Sequence, residues 1–340
     1  MSIIHLKITP STTMNLKKIA LSSTLLILAG LANSNVIAAE GAPAFIQNWN
    51  LGAASHWDYI DIDPVRHRLF LSRGDHVQVL ELPSGKITGQ IASTSGVHGI
   101  AFAQDLKLGF TSNGKTNTVT VFDLETLAIK QEIKVSGVNP DAILYDQQSH
   151  QLYTFNGKSA NVTVIDARTL KIISTIVTTG KPEFAASDEN GKIYFNVEDK
   201  AELHVIDVAT NKLVAQWPLL HCEEPTGLAI DQKNARLFSV CKNNTMVVTD
   251  AKTGKQIAKL AIGGHPDAAV FDADTATVYS SNGEGTLSVI KQIDADHYAT
   301  AVSVTTAKGA RTMVQDKVSK TIYLPAIIDK QFTVMSYGNK

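Results

Sequence analysis

Two short stretches carry residue types that suit metal or acid–base chemistry. His56-Trp57-Asp58 and His265-Pro266-Asp267 each place an imidazole two residues from a carboxylate. Imidazole nitrogen and carboxylate oxygen together suit Zn2+ or another divalent ion. Arg311 carries a planar fork that suits an anionic group. His98, Asp141, Glu183, Glu224 and Glu284 extend the set of candidates. A plainer reading competes with these. Such residues also cap strand ends and supply hydrogen bonds to buried backbone in loops. The H-x-D spacing is far less specific than the spacing-defined zinc signatures.

Familiar catalytic motifs are missing. The sequence holds no G-x-S-x-G elbow, H-E-x-x-H or Walker loop, and no G-x-G-x-x-G between a strand and a helix. "SSNGEGT" is glycine-rich but sits between two strand-like runs, where a phosphate cradle is not expected.

The elements that position these residues follow from a repeat. "DAKTGKQIAKLAIGGHPDAAVFD" (250–272) has weaker copies at 123–146, 166–188 and 207–231. An acid closes each unit at Asp63, Asp146, Asp188, Asp231, Asp272 and Asp316, with Gln104 in the remaining slot, giving seven occurrences at a period near 42. Within a unit, runs rich in Val, Ile, Thr, Tyr and Phe alternate with Gly, Asn and Asp breaks, which reads as four short strands. Four strands every forty-odd residues predict a β-propeller blade. The final unit lacks a fourth strand, and residues 44–55 look like a fourth strand without its first three. The two fragments complete one blade, so the prediction is an all-β, seven-bladed propeller closed by its N-terminal strand.

The N-terminus reads as an address. From Met14, which is a plausible true start, Lys17 and Lys18 precede an apolar run from Ile19 to Ala32 and a small-residue stretch ending near Ala38 or Ala39. This is the pattern of a cleaved secretory signal, and the run is short for a membrane span. The expected mature chain, 40–340, is a single exported, periplasmic domain without a transmembrane anchor. Residues 1–39 hold three lysines and no acid, so their removal leaves 28 basic and 32 acidic residues, net −4. That balance argues against nucleic acid as a partner. No C-x-x-C or C-x-x-C-H spacing occurs; Cys222 and Cys241 fall at the same end of one predicted blade. Export favours a disulfide between them, against free thiols binding a soft metal with His221.

At this point the repeats resemble a known family. "NVTVIDARTLKIISTIVTTGKPEFAASD" and "MVVTDAKTGKQIAKLAIGGHPDAAVFD" are similar to YVTN β-propeller repeats, as in bacterial YncE-like proteins. The strings "LFLS", "GFTS", "LYTF", "IYFN", "LFSV", "VYSS" and "IYLP" occupy the slot of the strand that names the family. The resemblance covers essentially all of 44–340. It implies an exported binding or scaffolding module, and an association with DNA for some members.

In such a blade the fourth-to-first and second-to-third connections share one face, here called the top. The first-to-second and third-to-fourth turns share the bottom, where "DAKTGK", "DARTLK" and "DVATNK" read as structural hairpin turns. Aligned top-face positions hold Asp58, Gly99, Asp141, Glu183, Thr226, Asp267 and Arg311, next to the innermost strands. His56, His98, Lys181, Glu224 and His265 lie just before them; Arg73, Asn113, Asn156, Asn243 and Glu284 lie in the other top loops. The leading expectation is a monomeric binding propeller that takes a small anion or a protein partner at the top channel mouth. No cofactor is expected, although a divalent metal on His56, Asp58, His265 and Asp267 is possible. The alternative is a metal-assisted hydrolase or lactonase using those four residues and Arg311; the third reading is a DNA-binding propeller.

Overall fold

A computed structural model describes residues 42–338, together with His5. The leader expected over residues 1–39 otherwise lies outside the described residues. The described chain forms seven antiparallel sheets of four strands each. Its helical elements are two single 3-10 turns, Gln104–Leu106 and Glu198–Lys200. No described helix is long and apolar enough to cross a membrane.

Each sheet is one blade. The inner strands are Ile60–Asp63, Val97–Ala103, Pro140–Asp146, Pro182–Ser187, Pro225–Asp231, Pro266–Asp272 and Val314–Gln315. They end at or next to the residues that mark the repeat, six acids and Gln104, and the acids hold the turn that follows. Asp146 accepts the backbone N–H of Ser149 at 3.0 Å, and Asp231 that of Asn234 at 3.2 Å. The seventh sheet runs Val314–Gln315, Ile322–Ile328, Gln331–Gly338 and then Ala44–Ala53 as its outer strand. The N-terminal strand therefore closes the ring, ending two residues earlier than the 44–55 expected.

Strand position decides burial pattern. Second and third strands are covered on both faces by neighbouring blades, so Arg236–Cys241 is buried throughout, as sheets with both faces covered require. Fourth strands face solvent and alternate, as Lys212–Pro218 does. The apolar core falls into seven clusters, each shared by two adjacent blades. Tyr153, Phe155 and Val164 of blade three, for example, pack with Ile193, Phe195 and Val197 of blade four. No blade buries its faces alone, so stability depends on a complete ring.

The third-to-fourth turns behave as structural punctuation. Asp123, Asp166 and Asp250 each accept two successive backbone N–H groups at 2.9–3.0 Å. Asn113 and Asn156, expected in top loops, instead end second strands, as Asn282 does, and all three are fully buried. Each side-chain amide donates into the third strand, as Asn113 does to Thr120 at 2.8 Å and Asn282 to Ser288 at 3.0 Å. Buried amides need such partners.

Cys222 and Cys241 form a disulfide with an S–S distance of 2.08 Å and a Cα–Cα distance of 5.4 Å. It ties the loop that leads into blade five to the end of that blade's second strand, and it excludes the thiol–His221 metal arrangement.

Candidate functional site

The top channel mouth carries a continuous belt of charged contacts. Arg311 Nε donates to Asp267 Oδ2 at 2.7 Å, and its Nη2 lies 3.8 Å from Asp58 Oδ1. The same guanidinium sits over the Trp57 ring at 5.5 Å. His98 Nδ1 donates to Asp58 Oδ2 at 2.6 Å and lies 3.6 Å from Asp141 Oδ1. Glu183 neighbours Asp141 electrostatically and pairs with Lys181 at 2.5 Å. Lys181 also pairs with Glu198. Followed around the axis, the belt passes through blades six, seven, one, two, three and four. Blade five contributes Thr226, whose hydroxyl donates to the Pro266 carbonyl at 3.1 Å.

The inner strands hold these groups in place. Ser72 Oγ accepts the Asp58 N–H at 2.8 Å, and Thr312 Oγ1 donates to the Asp58 carbonyl at 2.9 Å. Ser112 Oγ accepts the Gly99 N–H at 2.9 Å and donates to the Asp141 carbonyl. Gly99 is required by this close approach, since a Cβ there would lie 2.8 Å from Ile143 Cγ2 and 3.1 Å from the Asp141 carbonyl oxygen.

Burial, with the crowding of carboxylates added to it, sets the electrostatics. Burial, then the charge of Asp58, pushes Asp267 up to about 7 against the pull of Arg311. Burial pushes Asp141 to about 6, with His98 pulling down and Asp58 pushing up. Glu183 is raised well above the ordinary range by burial and by Asp141. Burial works against the His98 imidazolium, yet the hydrogen bond to Asp58 and the charge of Asp141 raise it overall. Tyr59, its ring tilted 58° to that of Phe184 at 5.2 Å, is raised by burial and by the charges of Asp141, Glu183, Asp58 and Asp267. The belt thus holds protons more tightly than free carboxylates do, because burial penalises the charged form and neighbouring like charges add to it.

The candidate residues divide accordingly. Asp58, His98, Asp141, Glu183, Asp267 and Arg311 are brought together. His56 and His265 are exposed, and neither side chain makes a hydrogen bond or ion pair among the described residues. The H-x-D quartet is therefore not assembled as a cluster; the metal-suited group of described residues is Asp58, His98 and Asp141. His265 has a backbone reason for its identity: φ is 56°, directly before Pro266, and Asn139 takes φ 61° before Pro140. Histidine and asparagine are among the non-glycine residues that adopt this left-handed region most readily.

Glu224 pairs on the exposed rim with Lys242 at 2.7 Å, and Glu284 accepts from Thr286 at 3.0 Å. Arg73 is a buried brace, 3.9 Å over the Phe332 ring and bonded to Ser55 at 2.7 Å. Lys181 was placed only as a flanking residue by the sequence, and Tyr59 not at all. Lys181 follows from its top-loop position before Glu183; Tyr59 has no motif to announce it.

Two cavities lie along the axis. The channel interior, about 460 Å³, is lined by Tyr59, Asp61, Phe102, Tyr145, Phe184 and Val270. A larger one of about 1040 Å³ opens at the bottom among Asp146, Asp231, Asp272, Asp274, Lys317 and Lys320. The bottom acids are committed to structure: besides the turn contacts above, Asp272 is paired with Lys320 at 2.9 Å.

No family model and no curated protein matches the sequence. Among solved structures, the chain is similar to one of hydrazine synthase from Kuenenia stuttgartiensis, with TM-score 0.70 and 17% identity over 86% of this chain and 98% of that one. It is also similar to a chain in the crystal structure of the mitotic checkpoint complex, with TM-score 0.77 and 11% identity over 97% of this chain and 99% of that one. At such identities the likeness is one of fold, and the conclusion it supports is that this chain is a seven-bladed β-propeller.

Proposed function

We propose that this protein is an exported propeller of the YVTN, YncE-like kind that binds a cationic ligand, or a cationic side chain of a protein partner, at the top channel mouth without catalysing a reaction. The belt of contacts carries the reading: six blades converge their charged groups on one axis, and carboxylates outnumber cations there. Arg311 and Lys181 are each already paired with acids, which disfavours the small anion expected from Arg311 alone. His98 has carboxylates for partners. A Cβ at Gly114 would lie 2.6 Å from its Nε2, so that nitrogen stands over Gly114 while Nδ1 faces the carboxylates. The export part of the reading rests on the leader pattern and on the disulfide, a bond that persists in oxidising compartments.

Calorimetric titration separates the ligand classes. Agmatine or spermidine is expected to bind saturably to the wild type and at least about ten-fold more weakly to Asp267→Asn, with citrate giving no heat; a factor of ten is 1.4 kcal/mol. Saturable citrate binding without polyamine binding would reverse the assignment. For export, fusing residues 1–39 to a phosphatase that is active only after disulfide formation is expected to give activity in the periplasmic fraction. An intact fusion that stays inactive and fractionates with the cytoplasm would refute the leader.

A further inference from the structure

We infer that Asp58, His98 and Asp141 form a binding site for a divalent cation of the Zn2+ or Mn2+ class. This rests on the reading that the mouth takes cations, and names the cation. One ligand atom from each residue lies within 4.8 Å of the other two. Metal–ligand bonds of about 2.0–2.2 Å place neighbouring ligand atoms of a tetrahedral ion roughly 3.3–3.5 Å apart. His98 Nδ1 and Asp141 Oδ1 already stand at 3.6 Å. His98 Nδ1 and Asp58 Oδ2 stand closer, at 2.6 Å, because a proton lies between them. A metal ion would displace that proton and push the pair apart by less than about 1 Å, within reach of side-chain rotation.

A second observation points to a ligand. Asp141 is only 9% exposed, and its carboxylate accepts no hydrogen bond among the described residues. Its nearest cationic contact is the imidazole nitrogen 3.6 Å away. Its oxygens are therefore free to take an ion without breaking a hydrogen bond, and the imidazole that pairs with it is itself one of the three ligands. The other two ligands are fixed in kind. Nδ1 is the His98 nitrogen that faces both carboxylates, and the Ser72 and Thr312 contacts anchor Asp58 through its backbone. All three residues sit at or beside inner strands of successive blades, where the backbone is most confined, as a metal site requires.

The donor set selects the ion. One imidazole with two carboxylates suits Zn2+ or Mn2+, whereas Ca2+ and Mg2+ favour all-oxygen shells. Water would complete the coordination, since Arg311 occupies the other oxygen of Asp58.

The test uses the exported chain, dialysed against chelator and titrated with ZnCl2 and MnCl2 near neutral pH. One equivalent of Zn2+ is expected to bind. His98→Gln and Asp141→Asn should each weaken it at least ten-fold, and Glu224→Gln on the rim should leave it unchanged. Electron spin-echo spectra of the Mn2+-loaded wild type should show one coupled imidazole 14N, a readout that needs no variant. Absence of saturable binding, undiminished binding in His98→Gln, or bound Mn2+ without nitrogen coupling would each overturn the site. Polyamine binding that persists without any metal binding would remove this inference and leave the cation-binding mouth standing.

Discussion

Deleting Ala44–Ala53 is expected to abolish the cooperative thermal unfolding of this protein. That strand pairs along Gln331–Gly338, with Trp49 opposite Val334 and Ala44 opposite Gly338. It delivers Trp49 and Leu51 into the cluster shared by blades seven and one. Trp49 stacks on Tyr323 at 5.4 Å and fills space over Gly85, where an added Cβ would lie 2.3 Å from the indole. Gly85 also has φ 70°, so the turn and the indole demand glycine together. Without the strand, Gln331–Gly338 becomes an open edge and one blade interface loses its covering. The milder variant Trp49→Ala should cost about 3–5 kcal/mol, the usual loss for a large buried aromatic. For a domain of this size that is a fall in Tm of about 5–8 °C. Circular dichroism melts and urea titrations check both. A deletion variant that unfolds in a transition like the wild type's would show that closure is not what holds the ring.

The second large effect runs the other way. Asp61→Asn should stabilise the protein by about 2–4 kcal/mol at pH 8 and by nearly nothing at pH 4. Asp61 lies in the inner strand of blade one and faces the channel interior. Burial pushes its carboxyl to about 7, against the pull of the Ile62 N–H, which it accepts at 2.7 Å, and of Lys317. A carboxyl raised by folding binds its proton more tightly in the folded state. Its favourable contribution is full below the unfolded value near 4 and is lost as pH rises through about 7. Moving from 3.8 to about 7 corresponds to roughly 4 kcal/mol at 1.36 kcal/mol per pH unit, reduced where channel water screens the charge. Asparagine keeps the carbonyl that accepts from Ile62 and never ionises. Denaturation midpoints measured from pH 4 to 9 should therefore diverge between variant and wild type progressively from about pH 4 and stay a constant distance apart above about pH 7. Parallel curves across the range would refute a half-buried, proton-holding Asp61. Asp141 and Asp267, raised in the same sense, give the wild type a further loss of stability over the same window.

The metal site shows how local pattern and assembled contact differ. The sequence drew attention to His56 and His265 because each stands two residues from an aspartate. In the fold those imidazoles are exposed, and His265 occupies a left-handed backbone position shared with Asn139. His98 has no acid at that spacing, yet it is the histidine that meets carboxylates, one from the blade before it and one from the blade after. Asp58, Asp141, Glu183, Asp267 and Arg311 were legible because they share one repeat position beside the axis. Their pairing was not legible: whether Arg311 stays free for an anion or is taken by Asp267 depends on distances between blades.

What the sequence determined by itself was the repeat and everything that follows from it. Strand periodicity, turn residues and the 42-residue spacing are local properties, so they predicted seven blades, the split seventh blade and the two cysteines at one end of blade five. The tertiary structure decided which charges meet. Residues some 40 positions apart become neighbours only when the ring closes, and a strand's period of two says nothing about its neighbour across the channel. Burial at that axis then raises Asp141, Glu183, Asp267 and Tyr59 together, because the same closure that brings the carboxylates together also takes them out of water.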